Sequence, residues 1–316
     1  MKYILNKAQI KTQPGGRPPA AIEITLGGVL AAAIPAPGQP AIYAFQPLAP
    51  GALLPGIGEP NLRAAEAISA AIRAALDQVS PRTRSVTVII PDTVVRVFVL
   101  DFDSLPPKPA DAYPVLRFRL RKMVPFDVEH AGLSYQVLTE KKDEIKVLAA
   151  VIPGAILAEY EGAVRAAGYE PGAVLPSSLA ALEAVGAGDS ANGMQAVLIA
   201  NLSPVALTTS ITSGHDLLLY RTLDLPEDPA AHIEEVRRGV AVAAAYYEDK
   251  LDAPPLLLHF AGSLGTGEPG AEGLTNWLDG FELSVVELAP RPATGAASSL
   301  GTASIAAVSG ALAGVR

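Results

Sequence analysis

Apolar and polar positions along the chain fall into two series of similar order, each a meander of β-type runs followed by helix patterns. Ala21 to Leu26 alternates as a strand, Gly27-Gly28 permits a turn and Val29 to Ile34 returns, which predicts a hairpin; a short β piece follows at Ala41 to Phe45. Leu62, Ala65, Ile68, Ile72, Leu76 and Val79 then recur at steps of three and four. They predict an amphipathic helix over 62–79, with Asn61 as N-cap and Pro81 beyond its end. Ser85 to Ile90 and Val94 to Leu100 are β-branched runs split by Pro91-Asp92, expected as buried or half-buried strands.

The next stretch is the densest in information. Asp111 can cap a helix whose first turn tolerates Pro114, with Leu116, Leu120, Met123 and Val124 on one face and Arg117 and Arg121 on another. The competing pattern is a strand, because Arg117 to Arg121 also alternates with period two; helix is the preferred reading. Tyr135 to Leu138 and Ile145 to Ile152 predict a hairpin around Lys141 to Glu144. A helix after Pro153 follows, carrying a Glu161–Arg165 pair and ending at Gly168, and then another over Ser177 to Val185. Gly186 to Gly193 is the clearest composition break, and the lobe boundary is expected there.

Beyond it, Ala196 to Ala200, Leu207 to Thr212 and Leu217 to Leu223 form a second meander. Asp228-Pro229 opens a long helix to about Leu251 with Ile233, Val236, Val240, Tyr247 and Leu251 inward. Leu256 to Phe260 and Phe281 to Leu288 are strands around a glycine-rich loop, and Ser304 to Leu312 a terminal helix. Two such lobes are the order expected of an actin-like or ribonuclease-H-like α/β repeat.

Composition narrows the function. Half of the 316 residues are hydrophobic and the mean hydropathy is +0.31, yet alanine supplies much of it, and no uninterrupted apolar run is long enough for a membrane span. The start, Met1 to Lys7, lacks the apolar core of a secretory signal, so a cytosolic protein is expected. There is no cysteine, hence no disulfide and no thiolate metal site. A net charge of -8 argues against nucleic-acid binding, which needs a basic footprint. His130, His215, His232 and His259 have no metal-ligand spacing. Ser177-Ser178 and Ser298-Ser299 read as caps or loop residues, and Asp101 with Asp103 as a solvated strand-end pair.

The helix ending in Val124-Pro125-Phe126-Asp127 and running into Leu133-Ser134-Tyr135-Gln136-Val137-Leu138 resembles the PilM-type type IV pilus assembly proteins, actin-like relatives of FtsA. There a helix ending in Ile-Pro-Phe leads into an Asp-Tyr-Gln-Val strand. Val147 to Ile152, Ala166 to Pro171 and Pro176 to Leu182 follow in the family's order. The resemblance implies an actin-like, ribonuclease-H-like two-lobe α/β fold with a small inserted subdomain designated 1C. The first lobe would comprise residues 20–95 and 173–190, the insert 96–172 and a reduced second lobe 191–316. It also implies a protein held peripherally at the cytoplasmic face of the inner membrane. Its partner would be the cytoplasmic tail of a bitopic PilN-like protein, reaching a groove between insert and first lobe, with a homo-oligomer as a further possibility. Arg117, Arg121, Val124, Pro125, Phe126 and Tyr135 are the candidate groove wall.

Many members bind ATP with magnesium. The family's first phosphate loop, Asp-x-Gly followed by small hydroxyl residues and a lysine, maps here onto Glu23, Thr25, Gly27, Gly28 and Leu30. The second maps onto Asn201-Leu202-Ser203-Pro204 and the adenosine loop onto Ala261-Gly262-Ser263. With the second-loop acid, the phosphate-loop glycines and the lysine replaced, the expectation is a non-enzymatic pseudo-ATPase scaffold, comparable to the GspL-type cytoplasmic domains of type II secretion. No cofactor is then expected; a magnesium-dependent ATPase with divergent loops is the alternative.

Overall fold

The computed structural model describes residues 17–58, 60–141, 144–188, 196–214, 216–264, 270–289, 300 and 303–313. The expected hairpin is β1 (Ala20–Ile24) with β2 (Gly28–Ala33), paired Glu23 to Leu30 and closed by Thr25 N to Gly28 O at 2.9 Å. β3 (Ile42–Pro47) completes the meander, and Gly28 is glycine because any Cβ would collide with Phe45 and Gln46 of β3. β4 (Ser85–Ile90) and β8 (Glu170–Pro176) join in parallel, giving the sheet order β3-β2-β1-β4-β8. The second lobe repeats this plan. β9 (Ala196–Ser203), β10 (Ala206–Ser213) and β11 (Asp216–Asp224) form its meander, β12 (Leu257–Gly262) and β13 (Ser284–Glu287) its parallel strands, in the order β11-β10-β9-β12-β13.

Between β4 and β8 the chain makes a third sheet, β5 (Arg96–Phe102), β6 (Gly132–Lys141) and β7 (Glu144–Ile152), ordered β5-β7-β6 and covered by α2 (Pro109–Leu120). Leu116 and Leu120 of α2 pack on Leu133, Val147 and Val151. The helix is therefore the form taken by the arginine-rich stretch. Its start differs from expectation: Lys108 is the N-cap, Pro109 occupies the first turn, and Asp111 complements the helix dipole rather than capping. Pro114 thus lies inside the helix, and Met123 and Val124 fall beyond its end, although Val124 remains in the core.

α1 (Ala65–Val79) buries Ile68, Ile72, Leu76 and Val79, and ends where Ser80 turns left-handed at φ 47° before Pro81. Asn61 is not its cap. Its side chain instead bonds Gly56 N at 3.0 Å and Gly56 O at 2.9 Å, and accepts from the buried Tyr160 hydroxyl at 3.1 Å. That interior role holds the preceding loop against α3 (Gly154–Ala166), whose Glu161–Arg165 pair closes at 2.9 Å and whose end at Gly168, φ 87°, takes the expected left-handed turn.

α3 packs with α1 on one face of the first sheet, so the chain from Gly154 onward belongs to the first lobe, not to an insert running to residue 172. α4 (Ser177–Gly188) covers the other face, and α7 (Ala306–Ala313) joins it. The terminal helix, expected in the second lobe, therefore returns to the first, where Gly310 lies so close to Ala180 of α4 that no Cβ fits. Leu179 and Leu182 of α4 also meet Ile199 and Leu217, which makes α4 the shared wall between the lobes.

α5 (His232–Leu251) and α6 (Gly270–Trp277) cover the outer face of the second sheet. Asp228 caps only a one-turn 3-10 helix, Pro229–Ala231, that precedes α5. Ile233 is exposed, contrary to expectation, because His232, bonded to Pro226 O at 2.8 Å, takes the inward place at the helix start. The expected lobe boundary falls on the end of α4 and on residues outside the described ones. Among the described residues, no helix is long and apolar enough to cross a membrane.

Candidate functional site

The carboxyl ends of β1 and β4 and the first turn of α4 face the ends of β9 and β12 across a cleft of about 470 Å³. Open α/β sheets place ligands at such strand ends. Glu23, near the end of β1, is 8% exposed and accepts from the Ser177 hydroxyl at 2.6 Å. Asp92 follows β4 directly. Its Oδ1 accepts from Ser178 N at 3.0 Å. Its Oδ2 accepts from the Ser178 hydroxyl, from Asn201 Nδ2 at 3.2 Å and from the Thr208 hydroxyl at 3.0 Å. Asp92 belongs to the first lobe and Asn201 and Thr208 to the second, so this carboxylate ties the lobes together.

Burial pushes the Glu23 carboxyl up to about 7, opposed by the Ser177 hydrogen bond and assisted by the charge of Asp92. Burial also raises Asp92, opposed by the hydrogen bonds from Ser178, Thr208 and Asn201. Two carboxyl groups sit here in low dielectric, and among the described residues no lysine, arginine or histidine lines the cleft with them.

The structure brings seven of the eight expected nucleotide-loop residues to this cleft: Glu23, Thr25, Gly27, Asn201, Ser203, Gly262 and Ser263. Gly28 stands behind it, packed on β3. The loops use their own donors. Thr25 N and Gly28 N bond across the hairpin turn. Ser203 Oγ accepts from Val205 N at 3.4 Å and Ala206 N at 3.1 Å, and Pro204 has no N–H to offer. Gly262, at φ 93°, lies against the Leu202 carbonyl, to which Ser263 N donates at 2.7 Å. Leu30, which the resemblance sets against a lysine, is buried among Ala21, Ile89 and Leu175.

The six candidate partner residues lie on the insert and divide into two groups. Arg117 donates to the carbonyl of Val128 and, at 3.1 Å, to that of Ala131, so its guanidinium fixes the loop after α2; Val124 lies in the core beneath. Arg121 is exposed and pairs with Glu129 at 2.6 Å, and Pro125 is exposed. Phe126 and Tyr135 are half-buried, the latter edge-to-face with Tyr113 at 5.3 Å. The loop meets the first lobe, since His130 O lies against Gly154, and Gly132 against Leu157 of α3.

No protein-family model and no curated protein matches the sequence. Among solved structures, the chain is similar to one described as the PilM-PilN type IV pilus biogenesis complex: 19% identical, covering 94% of this chain and 98% of that one at a TM-score of 0.71. A Bacteroides thetaiotaomicron protein with an actin-like ATPase fold and unknown function follows: 12% identical, covering 98% and 100%, at 0.53. The fold is actin-like.

Within this actin-like frame the residues that the sequence reading missed are Asp92, Ser177, Ser178 and Thr208. The one available signal was an acid directly after a buried strand, at Pro91-Asp92; the two serines passed for caps. Among the described histidines, His130 pairs with Asp127, the protonated form favoured by that carboxylate, and His232 is bonded to backbone. His215 lies outside the described residues. Asp101 is exposed, and no group of three potential metal ligands occurs among the described residues.

Proposed function

We propose that the chain is a cytoplasmic scaffold of an inner-membrane assembly platform, of type IV pilus or type II secretion-like kind. It would hold the cytoplasmic tail of a bitopic PilN-like protein and sit at the membrane through that partner. The observation that carries this reading is the likeness, over nearly the whole length of both chains, to the structure described as a PilM-PilN complex. The tail-binding face is the loop after α2, through Arg121, Pro125 and Phe126, together with Tyr135 of β6, at the junction of insert and first lobe, with Arg117 and Val124 holding its shape.

The inter-lobe cleft acts in this reading as structure and not as an ATPase. A magnesium-bound triphosphate needs donors and positive charge around it. Here the loop N–H groups described above bond within the hairpin turn, to Ser203 Oγ or to the neighbouring Leu202 carbonyl, both Asp92 oxygens are occupied, and among the described residues the lining carries two acids and no base. Fluorescence anisotropy with a labelled peptide of the partner's cytoplasmic tail tests the face. Arg121→Glu combined with Phe126→Ala should weaken binding about tenfold or more, equivalent to about 1.4 kcal/mol. Unchanged affinity in that double variant would remove this face as the docking site.

A further inference from the structure

The cleft between the lobes has the make-up of a ligand site. Its volume of about 470 Å³ lies within the range of roughly 300–1,000 Å³ typical of small-molecule pockets. Its walls are mostly apolar, with Ile24, Leu26, Leu30, Phe45, Leu48 and Leu54 among them. Its polar floor is specific. Both oxygens of Asp92 are taken by donors, whereas Glu23 accepts only through Oε1, from Ser177; Oε2 has no hydrogen-bond partner among the described residues. Glu23 is more than nine-tenths buried and lines the cleft. Asp92 adds a second negative charge behind it, and Tyr220 on β11 lies near enough to feel that charge. Among the described residues no other titratable side chain lines the cleft. Coulomb attraction in such a poorly solvated place is several times stronger than in water, so a cation is favoured and a phosphate or carboxylate opposed.

We propose that the cleft binds a small organic amine, a hydrocarbon body bearing one protonated amino group, with Glu23 Oε2 receiving the ammonium. The apolar walls take the body. The ammonium supplies the donor and the positive charge that the floor lacks. The inference rests on the reading that the cleft does not take a nucleotide.

Isothermal titration calorimetry of the full chain with hexylamine, hexanol, hexanoate and ATP with magnesium at pH 8 tests it. Hexylamine is expected to bind at least about tenfold more tightly than hexanol, and hexanoate and ATP to give no binding heat. Glu23→Gln should bring hexylamine to the level of hexanol. Lowering the pH from 8 to 6 should weaken the amine roughly tenfold, since a carboxyl with a pKa of about 7 goes from about nine-tenths to about one-tenth ionised. Hexylamine no tighter than hexanol, including neither binding, overturns the amine site, as does a Glu23→Gln variant that keeps the preference. Binding of ATP with magnesium in preference to the amine overturns the underlying reading of the cleft instead.

Discussion

Replacing Glu23 by glutamine isolates the energetic consequence of burying an acid between the lobes. The variant keeps an acceptor for the Ser177 hydroxyl, 2.6 Å away, and removes the charge. In the native chain the carboxyl is raised from its ordinary 4.5 to about 7, chiefly by burial. Below the unfolded value both states hold the proton, and the group adds no penalty. As the pH rises through that value the unfolded chain ionises while the folded one stays protonated. Stability is lost across the window from 4.5 to about 7 and stays lost above it. At about 1.36 kcal/mol per pH unit this interval amounts to about 3 kcal/mol, an order-of-magnitude figure. Urea unfolding of both proteins from pH 4 to 8.5 measures it. The two should be nearly equal at the acid end, and Glu23→Gln should be more stable by up to about 3 kcal/mol above pH 7.5. Parallel stability curves would refute the argument, because they would mean that Glu23 is not desolvated in the folded protein.

Asp92→Ala leaves Ser178 N and the Ser178 hydroxyl without their acceptor, while Thr208 keeps Thr222 at 3.0 Å; a loss of about 2–6 kcal/mol in urea unfolding is expected, at about 1–3 kcal/mol per orphaned donor, and less than 1 kcal/mol would refute the hub. Gly310→Ala should lower stability by about 1–3 kcal/mol through its clash with Ala180. The helical control Gly162→Ala, where a Cβ meets nothing, should hold or raise it by up to about 1 kcal/mol, so equal effects in the two would contradict the close α4–α7 contact. Arg117→Met removes both carbonyl contacts of the loop after α2 and should lower its local opening energy by about 1–2 kcal/mol, read as faster amide exchange across 121–131.

Local pattern carried much of the fold. The hairpin of β1 and β2, the spacing Ile68-Ile72-Leu76-Val79 and the Glu161–Arg165 pair with Gly168 each depend on neighbours in sequence, and each stands as expected, although the hairpin turns at Leu26-Gly27 and Gly28 already belongs to β2. Where the structure departs, the deciding partner is remote. Asn61 forgoes capping for contacts that include Tyr160, 99 residues away. The terminal helix is apolar and small-residued on most sides, so nothing in its pattern says which sheet it covers; the fit of Gly310 on Ala180 decides. Of the eight positions that the resemblance assigned to nucleotide loops, the structure gathers all but Gly28 in one cleft. Asp92 was not legible as a hub, because its donors come from positions 86, 109 and 116 residues further along. Nor could sequence tell that Arg117 is committed to carbonyls while Arg121 stays at the surface.

The central claim is that the chain works by holding a membrane partner's tail and not by turning over nucleotide. Calorimetry of the full chain with a synthetic peptide of the bitopic partner's cytoplasmic tail, with and without ATP and magnesium, tests it most directly. Saturable peptide binding in the low micromolar range or tighter, about -8 kcal/mol, unchanged by ATP, is expected, with no heat for ATP with magnesium alone. Micromolar binding of ATP with magnesium and no binding of the tail peptide would contradict it.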